Sequence, residues 1–199
     1  MPKLLYQGHG SFRLESDEGR IVFVDPYKGR GYDAPADLIL VTHNHTDHNR
    51  IGRCVRKPDC VIITNEEALA GGNHNFFDLG WIKIQAVEAC NKNHDPSKCV
   101  GYLITLNGVK VYASGDTSKT KQMELFAGLG IDYAFFPCDG FFNMGVDEAS
   151  ECAKLIGAKY NILIHAKPGE SIVKKAEKWN GPNKFVLEPG QEIETYGRI

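Results

Sequence analysis

The chain has 199 residues, 42% of them hydrophobic, with 23 basic and 25 acidic residues and a formal net charge of −2. That length and apolar content suit one large core, so a single domain over residues 1–199 is expected. The near-neutral balance argues against nucleic acid as a default partner, which needs a basic patch, and no apolar run reaches the roughly 20 residues that span a bilayer.

The first eight residues, Met1 to Gly8, lack the apolar core and small-residue cleavage site of a signal peptide. A cytoplasmic location and no membrane partner are therefore expected. The six cysteines form no C-x-x-C pair, which argues against a zinc knuckle or a thioredoxin-like motif. They read as reduced packing residues, with a local role open for Cys90 and Cys99, which flank His94.

Strands are expected at Ser11–Glu15 and Arg20–Val24, joined by the turn-like Ser16-Asp17-Glu18-Gly19. Asp25-Pro26-Tyr27 ends the second, and the glycine-flanked loop from Lys28 to Tyr32 is a solvated turn or, as the alternative, a flap. Asp37–Thr42 is nearly all apolar, as in a strand buried on both faces. A short helix over Asn49–Val55, a strand over Cys60–Thr64 and a helix over Asn65–Ala70 capped by Asn65 follow. Trp81–Ala89 alternates apolar and polar residues, and Asn107-Gly108 joins strands Val100–Leu106 and Val109–Ala113 as a hairpin. Helices are expected over Ser118–Leu129, Val146–Ala158 and Gly169–Trp179. Strands are expected over Ile131–Pro137, Asn161–His165, Lys184–Leu187 and Glu192–Tyr196. There is no repeat of fixed period and no linker. A strand-rich half followed by alternating helices and strands predicts a central pair of sheets with helices outside.

The chemistry concentrates in Thr42-His43-Asn44-His45-Thr46-Asp47-His48, directly after the apolar run ending at Val41. Three imidazoles and a carboxylate within six positions are metal ligands by type and density. On a strand His43 and His45 would point the same way, and Asp47 and His48 beyond it could turn toward a second ion. A two-metal hydrolytic site needs about three protein ligands per ion, so two or three more must come from elsewhere. Asp116 follows a hairpin strand beside Gly115 and can bridge two cations, or it caps the segment after Thr117. His165 ends an apolar strand. His94 lies in a polar loop after a strand and ranks above His74, which no strand leads to directly.

The H-x-H-x-D-H pattern of His43, His45, Asp47 and His48, the Gly115-Asp116-Thr117 triplet and the strand-end His165 resemble the metallo-β-lactamase fold superfamily. Gly8-His9-Gly10-Ser11-Phe12, Asp25-Pro26, Val100-Gly101-Tyr102, Glu148-Ala149 and the run from Gly140 to Gly145 look like its single-domain metal-dependent hydrolase branch, which includes relatives of ascorbate-6-phosphate lactonase. The resemblance runs over nearly the whole chain. It implies an α/β, four-layer αββα sandwich with two divalent ions at one edge, zinc first and manganese or iron as alternatives. By motif position His43, His45 and His94 hold one ion, Asp47, His48 and His165 the other, and Asp116 bridges. Paired cations lower the pKa of water toward neutrality, which implies hydrolysis of an ester, lactone or phosphoester of a small molecule, with Asp47 orienting the nucleophile or moving its proton. His9, Asp25 and Asn143 are placed around the ligands, and Asp25 either fixes an imidazole tautomer or simply forms the turn before Pro26.

Three positions depart from the pattern of that branch: Ala113-Ser114 before the Gly-Asp-Thr, Leu163-Ile164-His165-Ala166 at the last strand, and Asp139 where glycine is common. They lie near the pocket, so a relative's substrate does not transfer. Two further readings stand beside hydrolysis. One is a redox enzyme on the same fold, of the mononuclear-iron persulfide dioxygenase kind; the flavodiiron kind puts Glu where His45 stands and adds a flavin domain. The other is a non-catalytic metal-binding protein. A homo-oligomer is compatible with all of them.

Overall fold

The computed structural model describes residues 1–197, two short of the end of the expected domain. Among the described residues, twelve strands form two six-stranded sheets. The first contains β1 (Lys3–Gly8), β2 (Ser11–Glu15), β3 (Ile21–Val24), β4 (Ala36–Leu40) and β5 (Arg56–Ile63), with β12 (Glu192–Glu194) on the edge beside β1. The second runs from β6 (Phe76–Asp78) through β7 (Ile82–Glu88), β8 (Val100–Leu106), β9 (Val109–Ala113) and β10 (Tyr133–Pro137) to β11 (Tyr160–Ile164). Each sheet is mixed. Pairing is antiparallel from β12 to β3 and from β6 to β9, and parallel across β3-β4-β5 and β9-β10-β11.

The sheets face one another across one continuous apolar layer. Alternating residues of the first sheet, such as Leu4, Tyr6, Phe12 and Leu14, meet Tyr102, Ile104, Val111 and Phe135 of the second, as the two-residue period of a strand requires. Phe12 stacks on Phe135 at 4.3 Å between centroids, a pairing worth about 1 kcal/mol beyond its buried area. The Tyr102 hydroxyl donates to the Val41 carbonyl at 2.9 Å, so a buried phenol ties the sheets together next to the His cluster.

The outer layers are unequal. Helix α2 (Val146–Ile156) packs against β10 and β11, and α3 (Ile172–Glu177) against β11. The outer face of the first sheet carries a small apolar cluster, Ile21, Phe23, Ile39 and Val41 with Tyr32 and Cys54. The result is the expected pair of facing sheets with helices outside, the helical layers being short.

Several local expectations change. The helix α1 (Asn65–Ala68) is capped by Thr64 and not by Asn65. Thr64 accepts from the Glu66 amide while Glu67 reaches back to the Thr64 N–H at 2.8 Å, a reciprocal capping box. The Ser118–Leu129 segment forms only a tight 3-10 turn over Lys121–Phe126. Thr117 and Ser118 are held to the Cys90 carbonyl, and Thr120 offers no side-chain cap, so an α-helix has no start there. Asn49–Val55 likewise shrinks to the 3-10 turn Ile51–Arg53, and Lys184–Leu187 to a single bridge between Lys184 and Asn161. β1 and β6 were not anticipated, and β4 ends at Leu40, which leaves the His cluster in the loop beyond it.

Candidate metal centre

The cluster stands where parallel strands end. Asp25 follows β3, His43 to His48 follow β4, Asp116 follows β9, Asp139 follows β10 and His165 follows β11. Carboxyl ends of neighbouring parallel strands lie side by side, so residues far apart in sequence meet at one sheet edge. His9 arrives from β1, and His94 from the loop after β7.

Asp116 is the middle of the arrangement. Its carboxylate oxygens lie 3.9 Å from His43 Nε2, 3.4 Å from His48 Nε2, 3.4 Å from His94 Nε2 and 3.3 Å from His165 Nε2. All five side chains are buried. Donor atoms fall into three overlapping groups that could each surround an ion: His43, His45 and His94; His9, Asp47, His48 and His165; and His43, His48 and Asp116. The structure therefore brings together His43, His45, Asp47, His48, His94, Asp116 and His165, with His9 among them. His74 joins none of these groups.

The far nitrogens explain why the near ones converge. His48 Nδ1 donates to Asp25 Oδ2 at 2.8 Å. The same carboxylate accepts the Thr42 N–H at 2.7 Å and the Thr42 hydroxyl at 2.7 Å, so that hydroxyl is left to accept from His43 Nδ1 at 3.0 Å. His94 Nδ1 donates to Asn91 Oδ1 at 3.0 Å. His165 Nδ1 lies 3.4 Å from Asp139 Oδ2. With Nδ1 as the protonated nitrogen, each ring presents the Nε2 lone pair inward, as metal-binding imidazoles do. The inward Nε2 atoms of His43, His48 and His165 are buried and make no hydrogen bond to any described residue. Buried polar atoms are nearly always paired, so the absence of partners on three converging nitrogens is the mark of a donor set built for an ion.

Electrostatics fit the same reading. Burial drives the His43 imidazolium down to about 2, and the neighbouring His48 adds to that. Burial also opposes charge on His48, but Asp116 and Asp25 outweigh it and raise this group to about 9. Asp116 is itself buried, which favours its neutral form, yet His48, His165 and His43 hold it below the ordinary carboxylate range. Asp47 is held low first by the hydrogen bond from His9, whose Nε2 lies 3.0 Å from Asp47 Oδ2. These rings and carboxylates compete for protons that a divalent ion would replace.

The backbone is specialised here. His9, Asp25 and His165 have φ of 56°, 47° and 50°, in the left-handed region where non-glycine residues cost on the order of 1–3 kcal/mol. The His165 N–H donates to the His9 carbonyl at 2.9 Å, which ties two of these turns together. A Cβ at Gly10 would meet the His48 ring at 2.8 Å, so that position admits only glycine without displacing His48.

On the second sheet the expected Asn143 is joined by Asp139 and Asn91, whose bracing roles the sequence does not assign. Asp139 Oδ2 accepts from Asn143 Nδ2 at 2.9 Å, and Asn91 Nδ2 donates to Asn143 Oδ1 at 3.1 Å. One carboxylate thus reaches His165 directly and His94 through two amides. The signal was present: Asp139 follows an apolar strand and precedes glycine, the same placement that singled out Asp116 from the other side.

Two facing mixed sheets with an imidazole and carboxylate cluster at their shared edge define a metallo-β-lactamase-fold protein. The family model of the beta-lactamase superfamily domain matches residues 3–165, and the chain belongs to that family. Its relatives include a UPF0173 metal-dependent hydrolase of Pyrococcus furiosus, 28% identical over an alignment of 226 positions, gaps included, that covers 98% of this chain and 100% of the relative. A Parabacteroides distasonis structure described as a metal-dependent hydrolase superposes with a TM-score of 0.79 at 29% identity, covering 94% of this chain and 92% of its own. Igni18, a metallo hydrolase from Ignicoccus hospitalis, shares the fold with a TM-score of 0.77 at 20% identity, over 98% and 99% of the two chains.

Proposed function

We propose that the chain is a metal-dependent hydrolase that holds two divalent ions, zinc first with manganese or iron as alternatives, and cleaves an ester, lactone or phosphoester bond of a small molecule. The observation that carries this reading is the Asp116 carboxylate within 3.3–3.9 Å of four imidazole Nε2 atoms. One anion among four inward lone pairs suits a bridge between two cations better than a single-ion site. His43, His45 and His94 would hold one ion, Asp47, His48 and His165 the other. The hydrolase names of relatives that match along nearly their whole length support the same class.

When bound, such a pair supplies a nucleophile from water at neutral pH and an electrophile for the oxygen of the scissile group. The chain's own residues do the rest. His9 donates to Asp47 and fixes that carboxylate, and Asp47, about one-third exposed, faces the cavity beside the ligands, where it can take a proton from an attacking water or return one to a leaving group. Buried Asp25 and Asp139 hold the imidazoles in the tautomer that binds metal.

Metal analysis of purified protein after dialysis, paired with a panel of ester, lactone and phosphodiester substrates, tests the reading. About two first-row ions per chain and turnover of at least one class are expected. One iron per chain, or no retained metal, would overturn it.

A further inference from the structure

The loop spanning residues 139–145 carries two phenyl rings into solvent beside the cluster. Phe141 and Phe142 are 60% and 55% exposed, and their rings meet edge to face at 4.7 Å. The loop cannot fold them away. Asp139 Oδ1 accepts from the backbone N–H groups of Phe141, Phe142 and Asn143 at 2.8, 2.6 and 3.2 Å, and the Asn93 amide donates to the Phe142 carbonyl at 2.9 Å. An apolar pair pinned open in water marks a surface that something covers.

The two rings are not equivalent. Phe141 has the Lys167 ammonium 5.5 Å from its centroid, a cation–π contact that occupies it. Phe142 lines a cavity of about 380 Å³ together with His45, Asp47, His94, Asp116 and His165. That volume lies within the range of small-molecule sites. Every other described residue lining it is imidazole, carboxylate or amide, so Phe142 is its one apolar wall.

We infer that Phe142, braced by Phe141, is the subsite for an alkyl or aryl group next to the bond that is cleaved, which makes the substrates apolar-tailed small molecules. This rests on the hydrolase reading above. The polar floor meets the reacting group and the phenyl ring covers the tail, so the ring sets selectivity through burial of the tail, with no part in bond breaking. The cavity opens onto a second one that shares His45, Asn93 and His94 and includes Leu69, which leaves room for a tail longer than a few carbons.

The test uses metal-loaded full-length protein and two readouts. Calorimetry with aceto-, butyro- and octanohydroxamate, which chelate metals through a common head, reads the subsite without turnover. Affinity is expected to rise by about three-fold per methylene up to the length of the ring wall, to flatten in Phe142→Ala and to be largely kept in Phe142→Leu. Nitrophenyl acetate, butyrate and octanoate then give KM and kcat, with Phe142→Ala raising KM for butyrate and octanoate more than for acetate. Equal hydroxamate affinities in wild type, or an unchanged slope in Phe142→Ala, overturn the inference. A slope in binding with no ester, lactone or phosphodiester turned over keeps the subsite and sinks the hydrolase reading. Light scattering that shows Phe142→Ala dissociating an oligomer, with the slope unchanged, reassigns the patch to self-association.

Discussion

Asp25 and Asp139 occupy equivalent stations on the two sheets. Each follows a parallel strand, each is buried, and each braces two histidines of the cluster. Asp25 does so through short contacts of 2.7–2.8 Å to Thr42 and His48. Asp139 stands 3.4 Å from His165 and reaches His94 only through Asn143 and Asn91. Its other oxygen is spent on the backbone of the loop that carries Phe142. The first sheet therefore gives a stiff half-site, whereas the second couples its ligands to the rim of the cavity. A substrate that moves Phe142 would act on His165 and His94 before it touched His43 or His48.

The largest effect is expected where the two halves meet. Asp116→Ala should cut metal content from about two ions to one or none and lower hydrolysis by more than about 100-fold, beyond what loss of a supporting residue costs. Unchanged metal content would mean that Asp116 is no ligand. Next, Asp25→Asn should cost on the order of 10–100-fold in metal affinity, and Asp139→Asn about 10-fold, because an amide still accepts from the loop N–H groups. Chelator competition ranks them, and an equal or larger loss in Asp139→Asn breaks the contrast between stiff and coupled halves.

Acid–base behaviour of metal-free protein sharpens it further. Burial opposes protonation of His48, but Asp116 and Asp25 raise it to about 9. A group raised in the folded state stabilises fully below its unfolded value of about 6.5 and loses that contribution as pH rises through about 9. Melts in chelator should therefore fall by on the order of 2–3 kcal/mol between pH 6.5 and 9, and Asp25→Asn should flatten the trend. A metal-loaded sample should not show it, since the ion takes Nε2 in place of the proton. The smallest effect lies away from the site. Glu67→Ala removes one arm of the α1 capping box and should cost about 0.5 kcal/mol. The hydrogen bond from Thr64 holds the Glu67 carboxyl low, so this contribution exists above its unfolded value and fades as pH falls. Paired thermal melts at pH 7 and pH 3 would show both.

The same contrast governs what the sequence reveals. His43, His45, Asp47 and His48 are contiguous, so their density alone marked them. Asp116 and His165 stood out as polar residues at the ends of apolar strands, and His94 as a strand-following loop residue, in each case because strand ends converge. Asn91 and Thr42 act through partners that only the folded sheet edge supplies, so residue type gives no warning, whereas Asp139 carries the same strand-end signal as Asp116. Left-handed backbone at His9, Asp25 and His165 was equally invisible, because it follows from the need to turn a strand sharply into the site. Helix lengths failed for a related reason: Thr117 and Ser118 have their hydrogen bonds committed to Cys90, which propensity cannot register.

β5 lies at the outer border of the first sheet, where unpaired peptide groups can recruit a strand from another molecule. Its first half reads Arg56-Lys57-Pro58-Asp59 and slips register against β4 between Ala36 and Leu38. Charge, a missing N–H and an irregular ladder together make that border a poor template, while the apolar Val61-Ile62-Ile63 stretch pairs with β4. Four residues with no part in the chemistry thus guard that border, and replacing them with Thr and Val should promote intermolecular sheet on warming.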